Sequence, residues 1–273
     1  MEKQETGPAP APSSLDRDLS RITSTNRKKM VSGKYSALAG AVSREQAMDN
    51  ITNNLANINT IGFKRDQVSF ESLLRDARQN DKARGINYSR IAEIATDFTP
   101  GPMRVTGNTF DVAISGEGFF KVAAGGKTYF TRQGNFTLAP GGILTTESGF
   151  AVLDSGGNPI TLPAEGGEPI TINDNGEINV GGTAAGRIGL YAINDASTLK
   201  KAGNGLFELG EGGTAQATEA ARLVQGSLEL SNVNTIEEMA HMIDNMRKFE
   251  AFHQVIKRYD TLDGKQVELG TVA

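Results

Sequence analysis

Twenty-five of the 32 glycines in this 273-residue chain lie between Gly101 and Gly226, and the stretches on either side, 34–61 and 235–263, are patterned for helix. Glycine inside a helix costs about 1 kcal/mol relative to alanine. The centre is therefore suited to short strands and turns, and the ends to helices. Two helical ends joined through a β domain must meet or leave their apolar stripes in water. The pattern implies an α+β chain: a discontinuous terminal helical coiled-coil domain of N- and C-terminal helices, with an inserted antiparallel all-β domain.

In the N-terminal stretch, Leu38, Val42, Met48, Ile51, Leu55 and Ile58 recur at steps of three and four, broken once at Glu45. Beside them Asn50, Asn53, Asn54 and Asn57 share a second face. Asparagine disfavours helix interiors because its amide competes for backbone hydrogen bonds, so four on one face imply amide bonding to a neighbouring helix. Gly62 follows the pattern and suits the left-handed conformation beyond a helix end. In the C-terminal stretch Asn234 reads as an N-cap with Glu237 as its capping-box partner. Ile236, Met239, Ile243, Met246, Phe249, Phe252, Ile256, Tyr259 and Leu262 then recur at steps of three or four. Each helix is ~40 Å long at 1.5 Å per residue. An antiparallel two-helix stalk follows, which buries only one stripe per helix and leaves the rest for other copies to cover.

Between the helices, apolar runs at 110–115, 119–122, 128–131, 136–138, 143–145, 151–153, 169–172, 177–180 and 187–193 alternate with turn signals such as Gly125-Gly126 and Pro140-Gly141-Gly142. That is the spacing of an antiparallel β domain. Residues 195–200 read as a short helical turn. The expected organisation is a disordered extension over 1–29, a terminal helical domain of 30–65 plus 227–273, a connector over 66–99 and a β domain over 100–226. Within the connector, 63–78 has a second reading as a further helical piece.

Residues 1–29 hold Pro8, Pro10 and Pro12 and the basic run Arg27-Lys28-Lys29. They read either as an appended tag or early start, Met30 being a plausible first residue, or as an export or partner-binding tail. They contain no apolar stretch of a secretory signal. No run in the chain approaches the roughly 20 apolar residues that span a bilayer.

Candidate chemistry is sparse. Absence of cysteine excludes disulfides, thiol nucleophiles and thiolate metal sites. A formal net charge of −4 argues against a general nucleic-acid binder. Gly126-Lys127-Thr128 lacks the first glycine of a phosphate loop and sits in a hairpin. His241 and His253 stand twelve residues apart without metal-ligand spacing. Ser115 lacks the glycine two before it that a nucleophile elbow needs, and Asp174 lies in only a fragment of a calcium loop. No catalytic, cofactor or metal residue is assigned and an enzyme is not expected; a β-domain binding module on a coiled-coil oligomerisation stalk is the alternative reading.

Three longer segments are more specific. Asn53-Asn54-Leu55-Ala56-Asn57-Ile58-Asn59-Thr60-Ile61-Gly62-Phe63-Lys64 is one. Asp111-Val112-Ala113-Ile114-Ser115-Gly116-Glu117-Gly118-Phe119-Phe120-Lys121-Val122, with Thr131-Arg132-Gln133-Gly134-Asn135-Phe136, is the second. Gln225-Gly226-Ser227-Leu228-Glu229-Leu230-Ser231-Asn232-Val233-Asn234 is the third. Together they resemble the N-terminal, central and C-terminal motifs of bacterial flagellar basal-body rod and hook proteins, over Met30 to about Leu262. The length from Met30 and the ending Arg247-Lys248-Phe249-Glu250 are most similar to proximal-rod members, with distal-rod members next. Residues 1–29 and Gly264 depart from the pattern, and Gly264 is expected to break the terminal helix.

The resemblance implies a structural subunit of the flagellar drive shaft in the periplasmic rod of the basal body. It further implies export through the flagellar type III apparatus without a cleaved signal, and partners that are further copies and other rod and hook proteins. Neither nucleic-acid binding nor membrane insertion is implied. The interface expected on this reading comprises Leu38, Val42, Met48, Ile51, Asn53, Asn54, Leu55, Asn57 and Ile58 with Ile236, Met239, Ile243, Met246, Phe252 and Ile256.

Overall fold

A computed structural model of the chain describes residues 14–74, 87–163 and 168–271. Helix α1 (Ser14–Ala56) opens it and helix α2 (Thr235–Thr271) closes it, with a mostly antiparallel β region between them. Of the extension expected over 1–29, residues 1–13 lie outside the described residues, and the backbone is helical from Ser14. No proline or glycine falls between Pro12 and Gly33 to stop it. Helix α2 passes through Gly264 without a break: the cost of one glycine is small beside the run of helix around it.

The strands are β1 (Asp66–Leu74), β2 (Asn87–Thr96), β3 (Met103–Val105), β4 (Val112–Ser115), β5 (Phe119–Ala124), β6 (Lys127–Thr131), β7 (Phe136–Leu138), β8 (Leu144–Thr146) and β9 (Ala151–Val152). They continue with β10 (Ile170–Ile172), β11 (Glu177–Val180), β12 (Thr183–Arg187), β13 (Leu190–Ile193), β14 (Leu199–Gly203), β15 (Leu206–Leu209), β16 (Ala215–Ala217), β17 (Arg222–Gln225) and β18 (Ser227–Glu229). β1 and β2 form a two-stranded sheet, which corrects the helical reading of 63–78 over 66–74, while 75–78 lie outside the described residues. Phe70, Leu73 and Leu74 have helix-like spacing, but pairing with a distant strand decides their conformation.

Among the described residues nine strands form the main sheet, in the order β14-β15-β6-β5-β9-β8-β7, with β13 also paired to β5 and β16 paired to β13. β10, β11 and β12 make a second sheet, and β17 pairs with β4 and β18 with β3. Successive side chains of β5 point to opposite faces. Phe120 and Val122 enter the main core with Val112, Ile114, Phe136, Ile178 and Leu223, while Phe119 joins Phe130, Tyr191, Leu199 and Phe207. Gly125 and Gly126 both have positive φ in the turn between β5 and β6, so the phosphate-loop fragment is a hairpin turn.

The chain divides into two compact units, one of residues 1–48, 70–92 and 243–273, the other of 49–69 and 93–242. In the first, Ala37, Ala41 and Ala47 are buried. Lys34 pairs with Asp260, and Arg44 Nη1 donates to Asn245 Oδ1 at 3.1 Å. A Cβ at Gly40 would stand 2.5 Å from the Phe252 ring. These partners run in opposite order along the two helices. The second unit holds the β region, apart from the portions of β1 and β2 within 70–92, and the adjoining helix ends. Asn234 caps α2, its Oδ1 accepting from the Ile236 N–H at 3.1 Å, while the Glu237 carboxylate takes Arg65 Nη1 at 3.2 Å.

Candidate functional site

The expected interface residues divide between two faces of each helix. On α2, Ile236 is 81% exposed, and Met239, Ile243 and Met246 are each more than half exposed. On α1, Leu38 and Val42 are nearly half exposed. Ile51 is buried, and Met48, Leu55, Ile58, Phe252 and Ile256 are half-buried. One stripe per helix was expected, and the correction has a geometric cause. A step of three falls about 60° short of a full turn at 3.6 residues per turn. From Val42 through Glu45 and Met48 to Ile51 there are three such steps, which carry the row about half way round the helix. From Met246 through Phe249 to Phe252 there are two.

The asparagine face serves mainly the chain itself. Asn54 is buried. Its Nδ2 donates to the Asp66 carbonyl at 2.9 Å and to Glu238 Oε1 at 3.3 Å, and its Oδ1 accepts from the Asp66 N–H at 3.0 Å. Asn57 turns back onto the helix end, donating to the Asn53 carbonyl at 2.9 Å and accepting from Thr60 Oγ1 at 3.1 Å. Asn50, Asn53 and Asn57 line a cleft of about 620 Å³ with Phe63, Asp66 and Lys201. Lys201 Nζ holds Asp66 at 2.8 Å. Burial pushes Lys201 below its ordinary range, against the pull of that carboxylate. Burial likewise pushes the Glu238 carboxyl up, against Arg65 and the Asn54 amide.

A network missed from the sequence lies where α1 hands over to the strands. Lys64, Arg132 and Glu229 are all buried. Lys64 Nζ donates to Glu229 Oε1 at 2.6 Å and to the Thr99 carbonyl at 2.7 Å. Arg132 Nη1 donates to Glu229 Oε2 at 3.1 Å, and Nη2 to the Gly116 carbonyl at 3.0 Å. The Gly101 N–H also donates to Glu229 Oε1, at 2.9 Å. Burial pushes both cations below their ordinary ranges, opposed by Glu229. Each of the three motif segments supplies one member: Lys64 ends the first, Arg132 lies in the second and Glu229 in the third. The sequence signal was a charge set among apolar neighbours, but separations of 165 and 97 residues left the partners unassigned.

Gly62 locks this junction. Its φ is +66°, and a Cβ there would stand 2.6 Å from the Arg132 carbonyl carbon. Its N–H donates to the Glu229 carbonyl at 2.8 Å.

Among the described residues no group of three His, Asp or Glu is placed to hold a metal ion. None of the helices there is long and apolar enough to cross a membrane. The arrangement is one of buried braces and exposed apolar helix faces, chemistry suited to contact between chains.

The chain matches two protein-family descriptions: "Flagellar hook protein FlgE/F/G D1 domain" over residues 113–180 and "Flagellar basal body rod FlgEFG protein C-terminal" over residues 224–269. It is 35% identical to the flagellar basal-body rod protein FlgF of Caulobacter vibrioides, over 86% of this chain and 96% of that protein. It is 30% identical to the flagellar basal-body rod protein FlgG of Bacillus subtilis, over 88% and 99%. With the flagellar hook protein FlgE of Treponema pallidum it shares 39% identity, over 42% of this chain and 27% of that protein.

Proposed function

The chain belongs to the family of flagellar basal-body rod proteins and is a structural rod subunit, and we propose that its terminal helices form an antiparallel coiled coil whose outward faces bind neighbouring axial subunits. The observation that carries this reading is the exposed row Ile236, Met239, Ile243 and Met246. Its steps of three, four and three are those of a coiled-coil seam. Covering one such side chain contributes about 1.5–3 kcal/mol, so a row of four is a substantial demand for a partner.

Leu38 and Val42 extend the proposed contact surface on α1. Ile51 and Asn54, already buried, serve the subunit's own fold, together with the half-buried Met48, Leu55, Phe252 and Ile256. Asn53 and Asn57 stand at the cleft beside the helix end, and the half-buried Ile58 follows that end. The proposed partners are further copies and other rod and hook proteins, with delivery to the periplasmic rod by the flagellar type III export apparatus. The proximal-rod position is favoured by the higher identity to FlgF than to FlgG, 35% against 30%. The structural family supports a non-enzymatic role.

The test is electron microscopy of concentrated protein beside the double variant Met239→Glu/Ile243→Glu. Rods or rings are expected from the unaltered chain and none from the variant, with the dilute variant's unfolding midpoint unchanged and motility not restored by it. Ordered assembly undiminished in the variant overturns the proposal.

A further inference from the structure

The inward face of α2 is not apolar throughout. Glu238, Asn245, Phe252 and Tyr259 recur every seven residues, so they occupy one position of successive heptads. The first two are buried polar groups, the last two half-buried aromatics. Each meets a matched residue on α1. Tyr259 lies against Gly33 and Phe252 against Gly40, so close that a Cβ at either glycine would collide with the ring. In the same unit Asn245 accepts from Arg44. In the other unit Glu238 accepts from Asn54.

We infer that these positions form a register key, which fixes α1 on α2 in one antiparallel alignment and rejects slipped or like-with-like pairs. The inference rests on the coiled-coil reading above. Sliding α2 by one heptad in one direction sets Phe252 against Ala47, where a side chain replaces the glycine that admits the ring. The opposite slide sets Glu238 against Ala47 and away from Asn54, leaving a buried carboxylate without its partner. Parallel pairing of two α2 helices sets Glu238 against its own copy, a like-charge contact. A buried polar position in a seam specifies register at some expense in stability.

The outward row carries no such key. Ile236, Met239, Ile243 and Met246 are all apolar, and methionine adapts to differing surfaces. The inward seam thus accepts one partner in one register, while the outward seam tolerates chemically different neighbours.

The test uses the full chain, whose lack of native cysteine makes engineered disulfides unambiguous. Lys34→Cys with Asp260→Cys reports the alignment in which Lys34 pairs with Asp260. Lys34→Cys with His253→Cys reports a slip of one heptad. In dilute, mildly oxidising solution the first pair is expected to close on the order of tenfold faster than the second, and Glu238→Leu/Asn245→Leu to bring the two within about twofold, the change expected from erasing a buried hydrogen-bonded pair. An undiminished preference in the erased background overturns the key while leaving helix pairing intact. If neither pair closes in the unaltered background, the pairing itself is refuted, and the key with it.

Discussion

The side-chain amide of Asn54 bonds the main chain of Asp66 in both directions, donating to its carbonyl at 2.9 Å and accepting from its N–H at 3.0 Å. An amide side chain offers donor and acceptor together, so Asn54 acts as a strand partner at the start of β1. Asn54→Leu strips Asp66 and Glu238 of these bonds, and is expected to lower the stability of the dilute subunit by about 2–4 kcal/mol. Denaturant titration measures it. Unchanged stability with loss of assembly alone would place Asn54 at a subunit contact instead.

The buried network has two cations and one carboxylate, which sets an order among substitutions. Glu229→Gln leaves Lys64 and Arg132 buried without a counter-charge and is expected to cost about 3–5 kcal/mol. Lys64→Met leaves the Arg132–Glu229 pair intact and removes the excess charge, so its loss should be clearly smaller. Comparing the two unfolding midpoints under one set of conditions decides. Equal losses would mean that packing volume, not charge balance, governs the site.

Gly62→Ala faces two separate obstacles, the positive φ and the approach of the Arg132 backbone. Left-handed backbone alone costs a non-glycine residue about 1–2 kcal/mol. Displacement of backbone adds to that, for an expected loss of at least about 2 kcal/mol. Gly125→Ala, at a positive φ with nothing near its Cβ, should lose less. A smaller effect at Gly62 than at Gly125 would refute the close approach.

Glu238 gives the pH dependence. Because burial raises its folded-state pKa above the unfolded value, this group adds stability below the unfolded carboxylate range, and that contribution is lost as pH rises through the folded pKa. Glu238→Gln should therefore melt higher than the unaltered chain at neutral pH, the advantage vanishing below about pH 4, where the carboxyl is protonated in both states. Thermal melts across that window measure it, and an advantage that persists in acid would point to a cause other than protonation.

Much of the β region was legible because its strands are short apolar runs between turns. The runs at 136–138 and 177–180 coincide with β7 and β11. β14, Leu-Lys-Lys-Ala-Gly, carries no alternating pattern and is a strand only because β15 lies beside it. β3 is exposed along its whole length and is defined by pairing with β18, more than 120 residues away. Apolar rows on the helices were legible, but not their faces. Steps of three and four look alike in a list of positions, yet they rotate in opposite senses, and several of one kind in succession move a row from one neighbour to another. The register key is not legible as an apolar stripe because Glu238 and Asn245 are polar.

The Lys64–Glu229–Arg132 network also has a consequence for timing. Its members enter the chain at three widely separated points, and the only carboxylate is the last of them. Any route that delivers the polypeptide with its N-terminus leading leaves Lys64 and Arg132 without their counter-ion until residue 229 has arrived. Contacts of such sequence separation form late because the loop must close first. The subunit therefore cannot complete its junction prematurely, and a partly delivered chain stays unclosed until little more than α2 remains to follow.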